Sequence, residues 1–284
     1  MPLKHILGLD HVVINVRDLD ASAQTWKKLG FTVSPRGTHS AHLGSGNYTI
    51  VFGDDYLELL GVITETEHLK PTIEFLKHRE GVERAAFTTD DAAAGVEELK
   101  GRGLVPIGPV HFGRPVDLPN GGKSEAKFNV FRWPLNEQPG GLRIFACQHL
   151  TRENVWIREL QSHANGAHRI VRLEVLSQDP KAAAEQLSHL IDEPVSQTAD
   201  GFRVHSGGRR ADFLFYDAAT FARLYPESVR AGAAPEGAVA LVIATSDVAK
   251  AQAASGAVSH GGRASVPAQA ATGVIVSFVP QQAA

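Results

Sequence analysis

Three correspondences at a single spacing constrain this chain more than any other feature. Asp18 and Asp91, Gly30 and Gly103, and His11 and Arg84 are each 73 residues apart. In each copy a strand-like run leads to an aspartate suited to cap a helix, and a glycine suited to stop it. One constant offset across strand, cap and helix stop indicates duplication. The first copy reads as a strand at 9–16, a helix at 21–29 and strands at 31–34, 48–52 and 56–60, with a Pro, Gly and His loop at 35–46. The second has a strand at 82–89, a helix at 92–100 and strands near 127–133 and 142–148. Asp179 and Leu190 follow Asp18 and Leu29 by 161 residues, placing a third strand and helix at 170–175 and 181–190. A fourth unit, 238–244 and then Asp247 onward, is rich in Ala and Gly and ends on a strand at 273–279. The expected fold is α+β, built from tandem βαβββ modules. Residues 1–150 and 166–284 are expected to form two lobes, separated by a linker containing Asn154, Asn165 and Gly166.

The length of 284 residues suits two domains with a real core. A net charge of −3 with scattered basic residues gives no footprint for nucleic acid. No stretch approaches the roughly 18 apolar residues of a membrane span, and the first eight residues predict no signal peptide. Cys147, the one cysteine, excludes an internal disulfide and fits a reducing, cytoplasmic setting.

Side chains alternate between the faces of a strand, so His11, Val13 and Asn15 share one side and Val12, Ile14 and Val16 the other. The apolar set suits helix cover. The same alternation puts Glu58 between Tyr56 and Leu60, flanked by Leu57 and Leu59 on the opposite face. A histidine on one strand and a glutamate amid another make half of a metal site, and a carboxylate in so apolar a strand needs a partner. On the strand near 142–148, Phe145, Cys147 and His149 share a face. With His11 and Glu58, His149 would complete two histidines and one carboxylate, a set that leaves coordination positions open. Gln148 and Cys147 are the alternatives. Arg84, at the position equivalent to His11, cannot ligate a metal. It either holds an anionic substrate group or pairs with an acid. His39 and His42 lie in the 35–46 loop, Tyr56 and Trp133 suit an apolar pocket, Trp26 suits the core, and His163 and His168 belong to the linker.

Strand–helix–three-strand units, the first opening on Leu9-Asp10-His11 and closing on Tyr56-Leu57-Glu58-Leu59, resemble the vicinal oxygen chelate superfamily. More narrowly they resemble its glyoxalase-like branch, which includes bleomycin-resistance proteins and extradiol dioxygenases. The resemblance implies paired units curling into mixed sheets around a cavity, with helices outside. It also implies His11 and Glu58 as metal ligands. Arg172 and Ala240 stand at the His11 position in the third and fourth units, which argues against a dioxygenase with its metal in the second half. The expected activity is that of a divalent-metal enzyme (Zn, Fe, Mn or Ni) acting on a small oxygenated molecule by isomerase, lyase or oxygenase chemistry. Glu58 or His39 would move the proton. The alternative is a metal-free protein that sequesters a small molecule, as bleomycin-resistance relatives do. A homodimer is compatible with either.

Overall fold

The computed structural model describes residues 3–40, 42–118 and 121–281. Sixteen strands among these form two eight-stranded sheets. The first sheet uses β1 (Leu9–Asn15), β2 (Gly37–Thr38), β3 (Ser45–Val51), β4 (Tyr56–Val62), β5 (Gly81–Thr88), β6 (Ile107–Asp117), β7 (Lys123–Arg132) and β8 (Arg143–His149). Its order is β2-β3-β4-β1-β5-β8-β7-β6, so the first strands of the two repeats lie side by side at the centre. They run antiparallel to each other, and each pairs in parallel with the last strand of its own repeat. The second sheet repeats this plan with β9 (Ala167–Leu176), β10 (Val195–Thr198), β11 (Gly201–His205), β12 (Asp212–Tyr216), β13 (Gly237–Thr245), β14 (Val258–His260), β15 (Arg263–Val266) and β16 (Ile275–Pro280). The sheets are mixed and curved, and the fold is the α+β arrangement expected.

The repeated aspartates act as read. Asp18 accepts from the Ala21 N–H to start α1 (Leu19–Lys28), and Asp91 accepts from Ala93 and Ala94 to start α3 (Ala92–Gly101). Asp179 and Asp247 cap α4 (Pro180–Ile191) and α7 (Val248–Ser255) in the same way. Between α1 and α3 lies α2 (Lys70–His78). Two short helices, α5 (Ala218–Leu224) and α6 (Glu227–Arg230), follow β12. Residues 31–34 are not a strand, against expectation. Thr32 turns instead to the linker, its N–H donating to His163 Nδ1 and its hydroxyl to Ser162 O, while Phe31 and Val33 are buried. Alternation alone cannot separate such an anchored segment from a strand.

One apolar core joins the helix-bearing faces of both sheets, running from Leu9, Val12 and Ile14 to Leu173, Val175 and Leu241. Phe31 stacks on Phe278 and Phe87 on Phe213 across that seam. The Trp26 indole donates to Thr272 Oγ1 and that of Trp133 to Leu190 O, each 3.1 Å. Among the described residues, no helix is long and apolar enough to cross a membrane. Both core faces are thus turned toward each other, which leaves the opposite face of the first sheet to form a site.

Candidate functional site

That opposite face encloses a cavity of about 280 Å³, and His11, His39, Tyr56, Glu58, Arg84 and Trp133 all line it. The register explains three of them, His11, Tyr56 and Glu58. His11 pairs with Tyr56 and Val13 with Glu58 across β1 and β4, so His11 and Glu58 lie one step apart on the same face. His11 is stacked on Tyr56, with ring centroids 4.2 Å apart and 17° between planes. Its Nδ1 lies 2.7 Å from Asp10 Oδ1. An aspartate accepts only, so Nδ1 carries a proton and Nε2 is the nitrogen turned to the cavity. Nε2 faces Glu58 Oε2 at 3.8 Å, too far for a hydrogen bond.

Glu58 is buried in a setting built from three strands. Asn47 Nδ2 donates to its Oε1 at 2.6 Å, and His39 Nε2 stands 3.9 Å from the same oxygen. His39 Nδ1 is 2.8 Å from Ser45 Oγ, and the Asn47 Nδ2 donor approaches His39 Nε2 at 3.5 Å, which makes Nε2 the lone-pair nitrogen. Burial holds His39 below the ordinary imidazole range, against the pull of Glu58, and keeps the ring neutral at neutral pH. Burial pushes Glu58 up, but the facing His11 and His39, the Asn47 amide and Arg114 outweigh it and keep the carboxyl below its usual value. A Cβ at Gly37 would stand 2.2 Å from Asn47 Oδ1, so only glycine lets β2 pass over that amide.

His149 is not brought to this point. Its Nε2 lies 2.9 Å from Asp10 Oδ1, among the rings of Tyr56, Phe128 and Trp156, and it is not part of the cavity wall. Asp10 thus serves two imidazoles through Oδ1 and the Thr88 hydroxyl through Oδ2. Burial alone would raise Asp10, yet its histidine partners hold it far below the carboxylate range. Sequence reasoning gave Asp10 no role, because alternation turns neighbours to opposite faces. A register shift in the β1–β5 pairing between Leu9 and His11 is the irregularity that sets Asp10 beside His11. Gln148 faces away, tied to Asp90 O and Ala92 N. Cys147 lines the cavity with its thiol pushed up by burial. His163 staples the linker to Thr32 and Val51.

Three ligand-type atoms within 4.8 Å of one another occur, among the described residues, at Asp10, Cys147 and His149. Hydrogen bonds already saturate that carboxylate, so the group reads as a support for His11. His11 and Glu58 have the opposite character. Two bonds of about 2.0 to 2.2 Å reach across 3.8 Å, and a buried carboxylate facing imidazole nitrogens is a donor set that suits a divalent cation. The pair fits the group that the fold family implies.

Residues 9–191 match the glyoxalase-like domain family. This chain belongs to that family. It is a glyoxalase-like member of the vicinal oxygen chelate superfamily, as its opening motif suggests. A hypothetical protein from Staphylococcus aureus shares the fold over both sheets, at 15% identity and a TM-score of 0.71, covering 96% of this chain and 98% of that one. Methylmalonyl-CoA epimerase from Mycobacterium tuberculosis is 18% identical over 52% of this chain and 92% of its own, with a TM-score of 0.39. A variant of the Streptomyces coelicolor epimerase, in complex with 2-nitronate-propionyl-CoA, is 19% identical over 51% and 99%, with a TM-score of 0.40. No curated protein matches the sequence.

Proposed function

We propose that this glyoxalase-like chain is a divalent-metal enzyme that binds a small oxygenated molecule in the first-sheet cavity and moves a proton on it. One observation carries the reading: among the described residues the buried Glu58 carboxylate has only the Asn47 amide as a hydrogen-bond donor, while the Nε2 atoms of His11 and His39 stand 3.8 and 3.9 Å from its two oxygens. Its remaining lone pairs face the cavity beside those nitrogens, where a cation would complete them. His11 and Glu58 would hold that cation. Bound there, a divalent ion acts as a Lewis acid toward the oxygens of a chelating substrate.

The remaining roles follow from the chain itself. Asp10 fixes the His11 tautomer and, with the Tyr56 ring, its orientation. His39 Nε2 is free of a proton at neutral pH and faces the cavity, so it accepts one from substrate while Ser45 holds Nδ1. Phe112, Phe128 and Val130 give the cavity an apolar wall that limits water.

A metal-free binding protein is the second reading, and a specific feature favours it. The second repeat places Arg84 and Phe145 where the first has His11 and Glu58, and neither can ligate. Titration of chelator-treated protein with Mn²⁺ and Zn²⁺ by calorimetry separates the two. The enzyme reading expects one site per chain, weakened at least tenfold in His11→Ala and Glu58→Gln but retained in His39→Ala. Absence of binding to the folded wild type would favour the metal-free reading.

A further inference from the structure

The cavity has a second pole. Across four adjacent strands the register aligns Glu58, Val13, Arg84 and Arg143 in one row. With strands about 4.8 Å apart, Arg84 starts about 10 Å from Glu58 at the backbone, and Arg143 one strand further. Arg132, at the end of the neighbouring β7, joins them on the cavity wall.

These three guanidinium groups are short of negative charge. Arg84 Nε donates to Glu83 Oε2 at 2.6 Å, and Arg143 Nε donates to Oε1 of the same carboxylate. One glutamate therefore serves two arginines. Arg132 has no carboxylate within 4.0 Å among the described residues. Its Nη2 instead meets His68 Nε2 at 3.2 Å. Burial, then Arg132, Arg84 and Arg143, push His68 down to about 4, so that ring is neutral and cancels nothing. Glu137 also lines the cavity, with one oxygen held by Gln186 at 2.9 Å. Counting Glu83 and Glu137 against three arginines still leaves this end positive.

Such crowding has no structural purpose visible in the fold. Burial, together with Arg84 and Arg143, pushes Arg132 down to about 10, which means the cluster works against its own charge. An incoming anion relieves that repulsion, and planar guanidinium groups match the two oxygens of a carboxylate or phosphate.

We propose that the Arg84–Arg132–Arg143 end of the cavity binds the anionic group, carboxylate or phosphate, of a small substrate whose reacting carbon lies beside Glu58 and His39. The assignment of that carbon rests on the function proposed above; the anion site itself does not. A cavity of about 280 Å³ with its two poles this close suits a small molecule whose charge lies a few bonds from the reacting centre. Sequence reading left Arg84 between holding an anion and pairing with an acid. The structure gives it the acid, Glu83, and places a third arginine beside the pair.

The test uses calorimetric titration of the full chain, stripped of metal by chelator, with malonate, with inorganic phosphate and with the neutral isostere malonamide. Wild type should bind at least one anion and not malonamide, and the better of the two anions identifies the preferred head group. Arg132→Met, which strands no buried partner charge, should weaken binding at least tenfold. Glu83→Gln removes the competing carboxylate and should tighten it. Thermal melting confirms that each variant is folded. Equal affinity of wild type and Arg132→Met, equal binding of malonamide, or no anion binding by folded wild type overturns the proposal. The metal centre fails separately: His11→Ala should lose Mn²⁺ yet keep the anion, whereas Arg132→Met should lose the anion yet keep Mn²⁺.

Discussion

The two sheets share one plan and treat a buried glutamate in opposite ways. On the second sheet Glu174 accepts from the hydroxyls of Tyr216 and Tyr225 at 3.0 and 2.8 Å and from Arg172 Nε and Nη2 at 2.9 and 2.7 Å, with Arg263 at 3.8 Å. Around it Phe221 on α5, Val229 on α6 and Tyr225 between those helices fill the space that the first sheet leaves as a cavity. On the first sheet, Glu58 keeps one amide donor and two imidazole nitrogens too far away to bond. A saturated carboxylate is part of the framework. An under-coordinated one, facing open space, is where chemistry can occur.

Matched substitutions test that contrast directly. Glu174→Gln should destabilise the chain by about 3 to 5 kcal/mol, because it strands Arg172 and disrupts a buried network. Urea unfolding with an unchanged slope is the measurement.

The seam between the sheets gives the next effect. Both oxygens of Asp55, just before β4, accept from the Ile170 N–H of β9, at 3.1 and 3.2 Å. Burial, opposed by that N–H and by Arg210 and Arg169, raises Asp55 to about 7. The native chain therefore keeps a proton that the unfolded chain releases near 3.8. This contribution is complete below about pH 4 and is lost as pH rises through 7, a fall of about 2 to 4 kcal/mol. The Asp55→Asn variant should flatten the slope. If only one sheet's fluorescence follows pH, the two do not melt together.

Asp10→Asn should lower metal affinity 10- to 100-fold, about 1.4 to 2.8 kcal/mol, by loosening the His11 tautomer. The smallest effect completes the comparison. Glu58→Gln should change stability by less than about 1 kcal/mol, since glutamine keeps an oxygen for the Asn47 amide and strands no hydrogen-bonded arginine. A loss as large as that of Glu174→Gln would make both carboxylates structural.

Much of this was legible in residue spacing. The 73-residue offset located both central strands of the first sheet, and alternation alone turned His11 and Glu58 to one face. Alternation turned His149 toward the cavity with Cys147, but parity carries no information about reach, and the ring lies outside the cavity wall. Asp10, turned by a local irregularity of the strand, captures the ring first. His39 and Asn47 were harder, because a short strand held close by Gly37 sets their distance from Glu58. The arginine pole was half visible in Arg84. Arg132 and Arg143 join it only through the order of the strands, which no local pattern in the chain encodes.

The shared core also limits how this protein can change over generations. The Trp26 indole is capped by Thr272 and that of Trp133 by Leu190, so the second half of the gene completes two hydrogen bonds begun by the first. A fragment ending near residue 150 would expose Leu9, Val12 and Ile14 to water along with both indoles, and should be recovered as aggregate. The half without the cavity is thereby kept under selection by the half that has it. Recombination can exchange the pair intact, but it cannot pass on the site alone.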